Sequence, residues 1–266
     1  MSGYFEITWV DVAISLSLVA VVLVVALVQR LGIAKSVLIG SVRTFAQLML
    51  IGYVLKFVFD LSKWYWVVLM VAVMLVVASR TAAARDECRC PGKALLAGTA
   101  ITSGVLITML TVIGLVIRLR PWYTPHIFIP ITGMVIGNTM NAVALAMSRF
   151  RGEVGSSMGE VETALALGAT PAEACVRQRR RAVRSALVPT INALMVVGLV
   201  QLPGMMSGQI IAGVLSVEAV RYQIVIMYMV ASGAAVGSFV AVQLLRRQLF
   251  TQRHQLRSDY VQVVSP

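Results

Sequence analysis

The residues of this chain that could do chemistry are mostly amides and thioethers, set in long apolar stretches. Asn138 and Asn141 are three apart and share a helix face with Met134. A second group, "QLPGMMSGQ" at 201 to 209, gathers Gln201, Met205, Met206 and Gln209 around Pro203, Gly204 and Gly208. Proline removes a backbone donor and glycine loosens a helix, so carbonyls are expected to be freed here from the hydrogen-bond ladder. Weak, multiple oxygen and sulfur ligands suit the passage of a partly dehydrated cation better than its storage. Arg43 and Gln47, four apart, project from one helix face, where the arginine can gate a path or snorkel to the interface as an anchor. Cys88-Arg-Cys90 offers two thiolates beside Asp86 and Glu87, either a soft-metal capture point or an inert loop. The plainer alternatives are interhelical hydrogen bonding for the asparagines and a simple outer turn for 201 to 209.

Catalysis has little to work with. There is no phosphate-binding glycine loop; the nearest fragment, Pro91-Gly92-Lys93-Ala94, lacks the first glycine and the hydroxyl residue. There is no H-E-x-x-H zinc motif, and the two histidines, His126 and His254, both fall outside the apolar stretches. The chain is expected not to be an enzyme, to bind no cofactor of its own and to hydrolyse no ATP.

The elements that must position these residues are membrane spans. Of 266 residues, 59% are hydrophobic and 13% charged, and the mean hydropathy of +0.86 exceeds what a soluble surface can carry. Apolar runs long enough to cross about 30 Å of hydrocarbon occur near 10–28, 39–59, 64–84, 94–117, 127–147, 187–203 and 222–245. The expectation is an all-α, polytopic bundle of about seven spans forming one membrane domain over 1–266. The glycine pairs Gly133/Gly137 and Gly233/Gly237 are read as close helix packing, the second at a subunit contact.

The net charge of +12 does not point to nucleic acid, because the basic residues are distributed by loop. Alternate loops and the tail hold seventeen of the 23 Lys and Arg: Arg30 and Lys35; Arg80, Arg85, Arg89 and Lys93; seven arginines from Arg149 to Arg184; and Arg246, Arg247, Arg253 and Arg257. The positive-inside rule then puts the N-terminus outside and the C-terminus in the cytoplasm. "MSGYFEITWVDVAIS" lacks a basic leader and carries Glu6 and Asp11, so the first span is expected to be retained. All three cysteines fall in cytoplasmic loops, where reduced thiols are expected.

One long polar segment remains. Ser157-Met-Gly-Glu160 reads as a capping box opening a short helix that ends at Gly168. Thr170-Pro171-Ala-Glu173 opens a second, expected to run to about Leu187, with Pro189 beyond it. Arg177, Arg180, Arg181 and Arg184 lie largely on one side, suited to lipid phosphates. That does not account for the first helix, whose Glu160 and Glu162 face away from any membrane. A pre-ordered protrusion of 157–187 suits docking into a groove on another protein.

"ETALALGATPAEA" resembles the Glu-Ala-Ala…Gly coupling motif of ABC-transporter permeases, the element that fits a cleft in the ATP-binding subunit. Together with "SVRTFAQLMLIGYVLKFVF" (41–59), "GMVIGNTMNAVALAMSR" (133–149), "VGLVQLPGMMSGQIIAG" (197–213) and "EAVRYQIVIMYM" (218–229), the chain is similar to the FetB family of bacterial iron-export permeases and plant aluminium-tolerance proteins. The resemblance implies a homodimeric permease in the cell inner membrane, partnered by an ABC-type ATP-binding subunit that carries ATP and Mg. It makes Glu160, Glu162, Gly168, Thr170, Pro171 and Glu173 the coupling residues, and metal export, iron first, the transport. The rivals are an ATP-independent channel or secondary transporter, and an ABC permease for a non-metal cargo.

Overall fold

The computed structural model describes residues 8–61, 63–85, 90–117, 123–251 and 253–261. Its described residues are helical, with only isolated bridges at Val197–Gln201 and Phe250–Leu256. The helices are α1 (Trp9–Val28), α2 (Ala34–Leu61), α3 (Trp64–Ala84), α4 (Lys93–Thr111), α5 (Pro125–Ser156), α6 (Met158–Ala166), α7 (Pro171–Ala174), α8 (Val176–Val196), α9 (Gly204–Ile211), α10 (Ser216–Leu249) and α11 (Ser258–Val261). The last turn of α4 relaxes into a π-helix at Val112–Ile117. The chain divides into two compact units, Met1–Leu61 and Ser62–Pro266.

In the first unit α1 opens on a capping box. The Asp11 carboxylate accepts from the Thr8 amide at 2.9 Å, and the Asp11 amide donates to Thr8 Oγ1 at 3.4 Å. Asp11 thus satisfies a donor that the helix start leaves open. α1 and α2 enclose an apolar groove lined by Leu16, Leu23, Leu38 and Phe45. Arg43 and Gln47 are exposed on α2.

The second unit packs α3, α4, α5, α8 and α10 around one core, with Ile101, Val135, Val143, Met147, Phe150 and Leu245 fully buried. Its tightest seam joins α4, α5 and α10. A Cβ at Gly104 would lie 2.6 Å from the Gly233 carbonyl, and one at Gly237 2.5 Å from Thr139 Cγ2. Gly233 and Gly237 therefore pack inside the chain rather than at a subunit contact. Gly133 meets α3 through Met74, while the space at Gly137 is open.

The ends of the helices in this unit sort by charge. Gln248 Nε2 donates to the Pro91 carbonyl at 3.4 Å, Arg181 pairs with Glu153 at 3.2 Å, and Arg246 and Arg179 lie within electrostatic reach of Cys175. The start of α4, the end of α5, the start of α8 and the end of α10 thus meet at one basic end. With 34 residues α10 measures about 51 Å, so it extends well past about 30 Å of hydrocarbon.

Among the described residues six helices are long and apolar enough to cross a membrane. The sixth expected span, 187–203, is not one continuous helix. α8 starts in the arginine-rich segment, runs through Pro189 and ends at Val196; a loop over 197–203 with Gly198 at φ +84° follows, and Pro203 caps α9. Only the stretch from Leu187 to Val196 is apolar helix, about 15 Å long, half a bilayer core. The second polar helix also differs from expectation. It breaks at Cys175 into α7 and α8, and Pro189 lies inside it rather than after it.

Candidate functional site

A cavity of about 360 Å3 opens between α5, α8, α10 and the 197–203 loop. α5 contributes Met134, Asn138 and Asn141; α8 contributes Pro189 and Thr190; the loop contributes Gln201 and Pro203; α10 contributes Gln223, Ile226 and Met227. The periodicity of α5 is what brings Met134, Asn138 and Asn141 onto one wall. The Asn138 side chain donates to the Met134 carbonyl one turn back, at 2.9 Å. Asn141 Oδ1 accepts from Arg85 Nη1, at the end of α3, also at 2.9 Å.

Sequence reasoning found Asn138, Asn141 and Gln201 and missed three others. Gln223 is 6% exposed, and its Oε1 is buried without a hydrogen-bond partner. Thr190 is 9% exposed in the opposite wall, and Arg85 reaches the wall through Asn141. Gln223 carried a readable signal, an amide within the apolar run of α10. Arg85 carried none, because it looked like any loop arginine.

The other path candidates lie elsewhere. Met206 lines a neighbouring pocket with Leu202, Val220 and Tyr228, Met205 packs half-buried against the core, and Gln209 is half-buried on α9. Arg43 and Gln47 belong to the first unit. Cys88 lies outside the described residues. Cys90 is buried. Among the described residues no three His, Cys, Asp or Glu side chains converge as a metal site.

At the basic end α6 and α7 form an elbow. Gly168 turns the chain at φ +91°, with the amide of Ala169 donating to the Ala164 carbonyl and that of Gly168 to Leu165, both at 3.0 Å. This arrangement closes the end of α6 on its own orphan carbonyls. The expected box at Thr170 forms: Glu173 Oε2 accepts from the Thr170 amide at 2.8 Å, and the Glu173 amide donates to Thr170 Oγ1 at 3.4 Å. The side-chain and backbone hydrogen bonds from Thr170 hold the Glu173 carboxyl below its ordinary pKa. Its stabilising effect on α7 is therefore present above the ordinary carboxylate pKa and is lost as pH falls through the lowered value.

The expected box at Ser157 does not form. Ser157 Oγ instead donates to the Glu153 carbonyl at 2.6 Å and accepts from Gln178 Nε2 at 2.8 Å, while Glu160 pairs with Arg177 at 2.9 Å. These bonds tie the elbow sideways to α5 and α8 rather than capping it. Val161 and Cys175, both fully buried, fix its underside. Burial pushes the Cys175 thiol up to about 11, against the pull of Arg246 and Arg179, so it is inert at neutral pH. The tip is open: Leu167 is 84% exposed, and Glu162 is exposed beside it. The elbow is a held apolar knob with an acidic flank, and the helices it is tied to, α5 and α8, are walls of the cavity.

A family model described as an uncharacterised protein family, UPF0014, matches residues 9–250. The UPF0014 membrane protein STAR2 of Oryza sativa subsp. japonica is 39% identical over 245 residues, 90% of this chain and 83% of that protein. Protein ALUMINUM SENSITIVE 3 of Arabidopsis thaliana is 35% identical over 246 residues, 92% and 89% of the two chains. The probable iron export permease protein FetB of Escherichia coli (strain K12) is 36% identical over 254 residues, 94% and 95% of the two chains. No solved structure matches the chain.

Proposed function

The chain belongs to the UPF0014 family, and from that premise we propose that it is the membrane-spanning subunit of an ABC-type exporter for a metal ion such as iron. The observation that carries this reading is the elbow at Gly168. It presents Leu167 to the outside and is bonded through Ser157, Glu160 and Arg177 to the two helices that wall the cavity. A push on such a knob tilts α5 and α8 together, which is how a motion outside the membrane opens and closes a space within it. The energy comes from a separate ATP-binding subunit that carries ATP and Mg, two copies of which serve a homodimer of this chain. Glu160, Glu162, Gly168, Thr170, Pro171 and Glu173 form the docking element. Asn138, Asn141 and Gln201 form the path, with Met205, Met206 and Gln209 as further positions along it.

The topology that goes with this function has the N-terminus outside and the basic end in the cytoplasm. The apolar half of α8 then crosses jointly with the 197–203 loop and α9, an irregular crossing tolerated where protein or a water-filled cavity surrounds it. The protein lies in the cytoplasmic membrane. Purification of the tagged chain from its native host tests the reading: an ABC-type ATPase is expected to co-elute, and its hydrolysis to be altered by the chain. A chain that elutes without any ATPase, and transports without ATP, is a channel or secondary transporter instead.

A further inference from the structure

Among the described residues the cavity walls hold no carboxylate, thiol or imidazole. Their polar groups are the amides of Asn138, Asn141, Gln201 and Gln223 and the hydroxyl of Thr190, joined by the thioethers of Met134 and Met227. All are uncharged. Among the described residues the charged group bonded to the wall is cationic: Arg85 Nη1 donates to Asn141 Oδ1 at 2.9 Å. A bare divalent or trivalent ion gives up its water only to ligands that neutralise it, which for hard cations means carboxylates. A guanidinium one hydrogen bond away works against it.

Size points the same way. At about 360 Å3 the cavity far exceeds a stripped ion and falls in the range of small-molecule sites, about 300–1,000 Å3. Six waters alone occupy about 180 Å3, so there is room for a metal together with a full set of its own ligands. Gln223 adds a demand for a particular partner. Its Oε1 is an acceptor, buried and unpaired in the structure, in a side chain 6% exposed. Turned into the cavity by a side-chain rotation, that acceptor is satisfied by an occupant that donates an O–H.

We infer that the cavity takes its metal inside a preformed chelate, a neutral or anionic shell of hydroxyl and carboxylate ligands, which Gln223 accepts from and the Arg85–Asn141 pair attracts. The metal itself rests on the exporter reading above; the form in which it is bound rests on the cavity. In this arrangement the protein never coordinates the ion. It recognises the shell by hydrogen bonding, and a shell that leaves with its metal needs no ligand exchange at the wall.

The test is equilibrium dialysis of the full-length chain in lipid nanodiscs, without ATPase, against ferric citrate, ferrous ion alone, cuprous ion alone and citrate alone. The cuprous arm is included because Met134 and Met227 suit a soft ion. Ferric citrate is expected to be retained at least tenfold more strongly than either bare ion. Gln223→Leu and Arg85→Gln are each expected to weaken that retention about tenfold. Gln223→Glu, which keeps the shape and adds a negative charge, is expected to shift the preference toward bare ferrous ion, a gain of binding that a misfolded variant cannot produce. Stronger retention of a bare ion by the wild-type chain overturns the inference and leaves the metal-exporter reading standing. Retention of citrate alone as strongly as its iron complex, or of no metal species at all, overturns both the inference and the metal cargo. Unchanged chelate binding in Gln223→Leu removes this residue, and the inference with it.

Discussion

Gly237→Ala is expected to lower the melting midpoint of the purified chain sharply and to cut its yield in the membrane. The added Cβ would lie 2.5 Å from Thr139 Cγ2, with Val143 Cγ2 at 3.2 Å and the Ala100 carbonyl at 3.4 Å. Thr139 has little room to swing aside, because its Oγ1 side already lies against the backbone of Gly233, one turn earlier on α10, so closely that a Cβ built there would be only 2.7 Å away. Thr139 is wedged between two glycines of α10 and against Gly104 of α4, so α10 itself has to move. Overpacking of this kind costs about 1–3 kcal/mol even where side chains can yield, a large share of the margin by which proteins stay folded.

The same geometry names its own suppressor. Thr139→Ser removes Cγ2 and is expected to restore most of the stability of Gly237→Ala, the non-additivity that touching residues show. It is not expected to rescue Gly104→Ala, whose Cβ would meet the backbone carbonyl of Gly233 at 2.6 Å, an atom no side-chain trimming can move. Equal rescue of both variants in thermal melts would contradict this account of the seam.

The second large effect concerns the elbow. Gly168→Val is expected to leave the melting midpoint unchanged while lowering ATPase coupling at least tenfold. Space is not the difficulty, since nothing lies within 4 Å of a Cβ at this position. The difficulty is φ +91°, which an L-residue adopts only at a cost of about 1–2 kcal/mol and a β-branched one less readily still. The chain escapes that strain by changing the angle between α6 and α7, which moves Leu167 from the position that the proposed docking requires. Gly168→Asn, which tolerates positive φ better than other residues with a side chain, is expected to retain most of the coupling. Full coupling in Gly168→Val, measured as transport per ATP hydrolysed in proteoliposomes, would separate the elbow from the drive.

Much of this arrangement is legible in the sequence, where the signal is local. The turn at Gly168 and the box at Thr170–Glu173 follow from residue types at fixed offsets, and both form. Ser157–Glu160 has the same pattern and fails, because Glu160 finds Arg177, seventeen residues on, and Gln178 takes the serine hydroxyl. Only the tertiary fold brings those competitors within reach. Hydropathy locates six long helices but cannot show that the 187–203 stretch is divided between the end of α8 and a loop. There Pro189, which ordinarily marks a helix boundary, sits inside the helix, and the helix instead ends just before Gly198.

The cavity shows the same division. Asn138 and Asn141 are legible because they repeat on one helix face. Gln223 joins them from a helix more than eighty residues away in sequence, and Arg85 joins them through a single hydrogen bond to Asn141. Chain spacing encodes neither meeting. The partition of the glycines is likewise a matter of neighbours: Gly104, Gly233 and Gly237 are crowded while Gly137 is open.

The account stands or falls on what touches Leu167. A photo-crosslinking amino acid placed at that position in the full-length chain, in cells of the native host, is expected to capture an ABC-type ATP-binding subunit on illumination. The same probe at Leu199, 90% exposed in the loop at the far end of α8, is expected not to capture it. Capture of no ATPase at Leu167, in cells where the chain still transports its cargo, would contradict the account.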